Sequence, residues 1–204
     1  MKYSPGALTA AAAVGCLLCA VAPSNMVAAQ EINRAEFDAD GSVKQPENWR
    51  EWVFVGAPLT PNALNDGKAP FPEYHNVYIE NSAYEHWKRT GEWADGTQFA
   101  KELVLIREGE DCVEASGACF ESSGQGYFQG EFAGLELKIK DLQRFVEEPG
   151  NWAYFSFGHQ TPPYAETASA FPTESCNACH EANAETDFVF TQYYPVLRAS
   201  KPRQ

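Results

Sequence analysis

An α+β fold, an antiparallel β-sheet with flanking helices, is what this chain of 204 residues predicts. Three observations carry that expectation. Stretches of β-rich residues recur at strand length, Gly-, Asn- and Pro-marked loops separate them, and helical signals stand outside that run, one early and one near the C-terminus.

The elements follow in order. Residues 1–29 have the form of a secretory signal: Lys2, an apolar run from Ala7 to Ala22, then Val27-Ala28-Ala29 ahead of Gln30. The run is too short for a membrane span. Cleavage there leaves 30–204, 175 residues, enough for one domain with its own core. Residues 30–45 read as a mobile segment, with order beginning at Pro46 to Trp52 and running into apolar Val53 to Gly56. Pro58 to Pro72 reads as a long loop, His75 to Glu80 as a strand, and Ala83 to Thr90 as a short helix capped by Asn81 or Ser82 and closed by Gly91. Thr97 to Arg107, Tyr127 to Lys140 and Trp152 to Phe157 read as further strands, the second bent near Gly130 or Gly134. After a Pro-rich loop from Gln160 to Pro172 comes the last helix, which Pro195 should stop near Tyr194.

That C-terminal helix opens with Cys176-Asn177-Ala178-Cys179-His180, and a C-x-x-C-H run reads as covalent attachment of a c-type haem. Two thiols at this spacing each add to one vinyl group of the porphyrin, while the adjacent imidazole binds iron. On a helix the three side chains fall at i, i+3 and i+4, on one face. A thioredoxin-like redox pair would want a βαβ context, and a zinc site a second Cys or His pair. Neither accompanies this motif.

Of the six cysteines, Cys16 and Cys19 leave with the signal. Cys112 and Cys119 lie in a polar, hairpin-like stretch, and in an oxidising compartment they are expected to form a loop-stapling disulfide. Both methionines, Met1 and Met26, also lie in the leader, which excludes the His/Met axial pair of electron-transfer cytochromes. Opposite the iron there remain His75, His86, His159, a lysine, or an open site. His86 reads as a surface residue, His75 as structural, and His159 as the alternative to an open distal side. Glu166 and Glu174 precede the motif closely, yet a glutamate in a polar loop is usually solvated. The processed chain carries 14 basic against 28 acidic residues. Such a balance disfavours nucleic acid and anionic membranes and suits a basic redox partner or a small neutral substrate.

Strand parity singles out one more residue. Between Thr97 and Arg107, Phe99, Lys101, Leu103 and Leu105 share a face. A lysine flanked by apolar residues is paired, neutralised, covalently modified, or has its stem packed with its ammonium in solvent. Parity alone leaves these readings open.

Several segments taken together resemble the cytochrome P-460 family: Trp49-Arg50-Glu51-Trp52-Val53, Leu64-Asn65-Asp66-Gly67-Lys68-Ala69-Pro70-Phe71, Trp87-Lys88-Arg89-Thr90-Gly91-Glu92, Lys101-Glu102-Leu103-Val104, Glu148-Pro149-Gly150-Asn151-Trp152, and Cys176 through Arg198. The resemblance implies a periplasmic, usually homodimeric, β-rich protein with one haem c and its iron. It implies thioether bonds from Cys176 and Cys179, His180 as iron ligand, and a covalent bond from Lys101 to the porphyrin edge. The implied activity is oxidation of hydroxylamine to nitrogen oxides, with electrons passed to a redox-partner cytochrome c. A related class, cytochrome c-prime-beta, lacks the lysine cross-link and binds nitric oxide without catalysis. This chain departs from the pattern in the insertion Asp111 to Gln125 that carries Cys112 and Cys119.

Overall fold

A computed structural model describes residues 1–2 and 31–202. The secretory signal expected over residues 1–29 falls almost entirely outside the described residues. Five antiparallel strands form the main sheet: β2 (Val53–Gly56), β3 (Tyr74–Ile79), β4 (Gln98–Ile106), β7 (Gln129–Lys140) and β8 (Trp152–Ser156), in spatial order β2-β3-β4-β7-β8. Two short ribbons accompany it. The first pairs β1 (Val43–Lys44) with β9 (Thr167–Ala168), and the second is a hairpin of β5 (Cys119–Glu121) and β6 (Gly124–Gly126). The α+β architecture is as the sequence predicts, and no helix among the described residues is long and apolar enough to cross a membrane.

Helix α1 (Asn81–Thr90) lies where the sequence places it, but its cap is neither Asn81 nor Ser82. The carboxylate of buried Glu80 accepts from the backbone N–H of Ser82 at 2.8 Å and of Ala83 at 3.0 Å, satisfying two otherwise orphaned donors. Gly91 closes the helix with a left-handed φ of 73°.

The C-terminal region differs more. Helix α2 (Thr173–Asn183) does begin just before the Cys-x-x-Cys-His motif, yet it ends well before Tyr194. Pro195 starts a separate helix, α3 (Pro195–Ser200), instead of stopping one. Proline at the first helical position loses no hydrogen bond that the helix would otherwise make, so one residue type suits either reading.

Both faces of the sheet are covered. On one, Phe99, Trp152 and Tyr154 join Trp87 and Trp93 from around α1 and Val189, Tyr194 and Leu197 from the C-terminal region, with Cys176 packed at the margin. On the other, Ala100, Leu135, Leu137 and Phe155 pack with Val43, Trp49 and Phe145. Residues 31–45 are therefore not a mobile segment. Phe37 sets its ring edge-on to Phe145 and Phe155, Val43 is fully buried, and the Asn33 carbonyl accepts from the Gln98 amide at 2.8 Å. The few apolar residues that do this are spaced among charges and form no visible period.

The bend expected near Gly130 or Gly134 is present as two register shifts where β4 pairs with β7, opposite Gly134 to Phe132 and Phe132 to Gln129. Leu105 follows the first shift and is exposed, so the shared face of Phe99, Lys101 and Leu103 ends there.

Candidate haem-binding site

Register brings the site together. Lys101 pairs across the sheet with Val77 on one side and Glu136 on the other. Phe99 pairs with Lys138, which in turn pairs with Tyr154. By alternation His75, Phe99, Lys101, Leu103, Glu136, Lys138 and Tyr154 all belong to the face over which α2 lies. The buried Asn177 amide ties α2 to this face by donating to the Trp152 carbonyl at 3.0 Å. Thus one of the two residues between the motif cysteines anchors the helix, and Cys176 lies partly buried while Cys179 is exposed.

His180 is held on three sides. Its ring stands 4.7 Å from that of Tyr154 and 4.6 Å from that of Phe190. Nδ1 lies 2.8 Å from the Phe188 carbonyl, which only accepts, so Nδ1 carries the hydrogen and Nε2 keeps the free lone pair. Burial, with the positive charge of Lys138 nearby, pushes the imidazole down to about 3. It is therefore neutral in the physiological range, the state in which it ligates a metal. A ligand histidine whose other nitrogen donates to a backbone carbonyl is the usual arrangement around protein-bound metals.

Lys101 is paired with a carboxylate beside an aromatic ring: its Nζ stands 2.5 Å from Glu136 Oε2 and 5.3 Å from the centroid of the Phe71 ring. The Cys176 thiol is pushed up by burial first and then by the charge of Glu136. His75 lies under the charge of Lys101, which, after burial, lowers it to about 4, and its Nε2 is buried with no partner. The Tyr154 hydroxyl beside His180 is likewise buried and unpartnered. Two free thiols and a neutral imidazole with Nε2 open, over a face holding two orphaned polar atoms, fit a covalently bound haem.

His159 is not part of this group. Its side chain is 59% exposed and its Nε2 lies 3.0 Å from Glu73 Oε1. Glu166 and Glu174 are exposed, as polar-loop glutamates usually are. Sequence reading missed Glu136 and Lys138 and gave no sign of the unpartnered Nε2 of His75. Glu136 and Lys138 alternate with buried Leu135, Leu137 and Ile139, a pattern that ordinarily marks a solvent face. Lys101 was reached by parity, and the same parity applied to the neighbouring strand would have found Glu136 once register was known.

Cys112 and Cys119 are joined by the expected disulfide, which closes the loop between them just before the β5–β6 hairpin. A groove of about 670 Å³ lined by Arg34, Phe37, Asp141 and Arg144 contains none of the motif residues. Among known proteins, the family model described as cytochrome P-460 matches residues 46–191, more than half of the chain. No curated protein matches it.

Proposed function

This chain belongs to the cytochrome P-460 family, and on that premise we propose that it is an exported c-type haem enzyme that oxidises hydroxylamine to nitrogen oxides in the periplasm. The family implies a haem with its iron. In this reading Cys176 and Cys179 hold one haem c per chain through thioethers, Nε2 of His180 ligates the iron, and Lys101 is bonded through Nζ to the porphyrin edge. Electrons leave to an external cytochrome c, and the homodimer rests on the family resemblance.

When bound, the haem supplies the iron that binds hydroxylamine and takes its electrons. The protein's own groups manage the protons. Each electron withdrawn from hydroxylamine frees a proton, so the reaction needs an acceptor within the site. Glu136 is the carboxylate of this face that stands beside Lys101, and it is the group assigned to that task. His75 presents an unpartnered Nε2 in its neutral form, suited to accepting a hydrogen bond from a bound N–H or O–H.

The single observation that carries this reading is the Lys101–Glu136 pair on the same sheet face as the haem-attachment helix. Steady-state oxidation of hydroxylamine with an electron acceptor tests it. Wild-type protein should turn over, while Lys101→Ala should retain its haem, bind nitric oxide and lose turnover. A wild-type protein that holds haem and binds nitric oxide but leaves hydroxylamine unchanged would replace the enzyme with a gas binder of the cytochrome c-prime-beta kind.

A further inference from the structure

The carbonyl that orients His180 has a second donor. Lys138 Nζ also donates to the Phe188 oxygen, from the opposite wall of the site. Lys138 is only 8% exposed, and its Nζ rides 4.1 Å above the Trp152 ring.

The oxygen that both share is fixed in place. Thr186 and Val189 bridge across a tight turn whose central residues, Asp187 and Phe188, have left-handed φ values of 42° and 62°. The turn is pinned at several points. The Trp93 indole donates to the Thr186 carbonyl at 3.1 Å, and Lys140 and the Trp152 indole reach the Asp187 carboxylate at 2.9 and 3.3 Å. Gly150 leaves room for the Phe188 ring, since a Cβ there would stand 2.5 Å from it. A carbonyl held this way cannot swing towards one donor at the expense of the other.

We propose that Lys138 is a positioning residue that tunes the iron by competing with His180 for the Phe188 carbonyl. The acceptor facing Nδ1–H sets how much electron density an imidazole gives its metal. A carbonyl already engaged by a second donor accepts less strongly from the first, so His180 is a weaker iron ligand and the ferrous state is favoured. Outer hydrogen bonding is one of the levers by which a protein sets haem potential. Favouring the ferrous state suits a site that must draw electrons from a substrate. An N–H of Lys138 makes this contact whether the amine is charged or neutral. The inference rests on His180 being the iron ligand, as set out above.

The plain alternative is that Lys138 merely anchors the turn, as Lys140 does through Asp187 and the Gly150 carbonyl at 2.7 Å. Holoproteins of Lys138→Met and Lys140→Met separate the two by redox titration. Lys138→Met should lower the ferrous-to-ferric ratio at a fixed mediator potential about tenfold, a shift of about 59 mV. Lys140→Met should move it far less. An unchanged potential in Lys138→Met, or an equal shift in both variants, overturns the inference while leaving the haem reading intact. Should Lys138→Met fail to hold haem, resonance Raman of the ferrous wild type decides. An iron–histidine stretch typical of a neutral, weakly assisted imidazole is expected, and one in the imidazolate range overturns it. Wild-type protein lacking haem c by pyridine haemochrome assay would overturn both readings.

Discussion

Glu136 and His75 flank Lys101 and face different tests. If Glu136 takes protons from the substrate, Glu136→Gln keeps the hydrogen-bonding shape but cannot accept a proton, and turnover should fall by roughly 10²–10⁴-fold with haem content unchanged. Stopped-flow measurement beside a haem assay separates the two quantities. His75 is held neutral in the fold by burial and the Lys101 charge, with its value lowered from 6.5 to about 4. Between those values the unfolded chain binds a proton that the folded chain refuses. Its contribution is therefore complete above pH 6.5, lost as pH falls towards 4, and constant below. Urea unfolding of wild type and His75→Phe across that window should show roughly 2–3 kcal/mol of pH-dependent stability present only in the wild type. Parallel slopes would show that His75 is solvated.

At the level of elements, the turn at residues 186–189 and the disulfide-closed loop make contrasting predictions. Gly150 combines a φ of 63° with contact against the Phe188 ring, so Gly150→Ala meets both a conformational and a steric penalty. A loss of about 2–4 kcal/mol is expected, read by denaturant unfolding. Because the Phe188 carbonyl holds His180, the haem spectrum should change with it. The Cys112–Cys119 disulfide closes a short loop. Replacing both cysteines by serine should cost about 2–3 kcal/mol in the chain-entropy account and leave turnover in place. Elements with a strong local signature were legible in the sequence: the α2 motif, Gly91 closing α1, and the bend of β7. The Glu80 cap and the end of α2 were not, since the first is a strand-end carboxylate and the second is an extended Ala184 that neither glycine nor proline announces.

For the whole molecule, the site forms because one face of a five-stranded sheet carries charge inward. Lys101, Glu136, Lys138 and Lys140 would mark a wet surface in an ordinary two-layer protein, but here Lys138 and Lys140 are buried against the turn after α2, and Lys101 and Glu136 pair with each other, half-buried. Fold class and the Cys-x-x-Cys-His motif could be read directly from the chain. The partners of Lys101 and His180 could not, because they depend on strand register and on a backbone carbonyl. The far side was hidden for a related reason: residues 31–45 cover the opposite face with few apolar side chains among many charges. On the proposed reading, Lys101 and the Cys176–His180 segment hold the same haem. Tandem mass spectrometry of haem peptides from digested wild-type protein tests it most directly. A single haem carrying both a Lys101 peptide and the Cys176–His180 peptide is the expected result, whereas haem released on the Cys176–His180 peptide alone would contradict it.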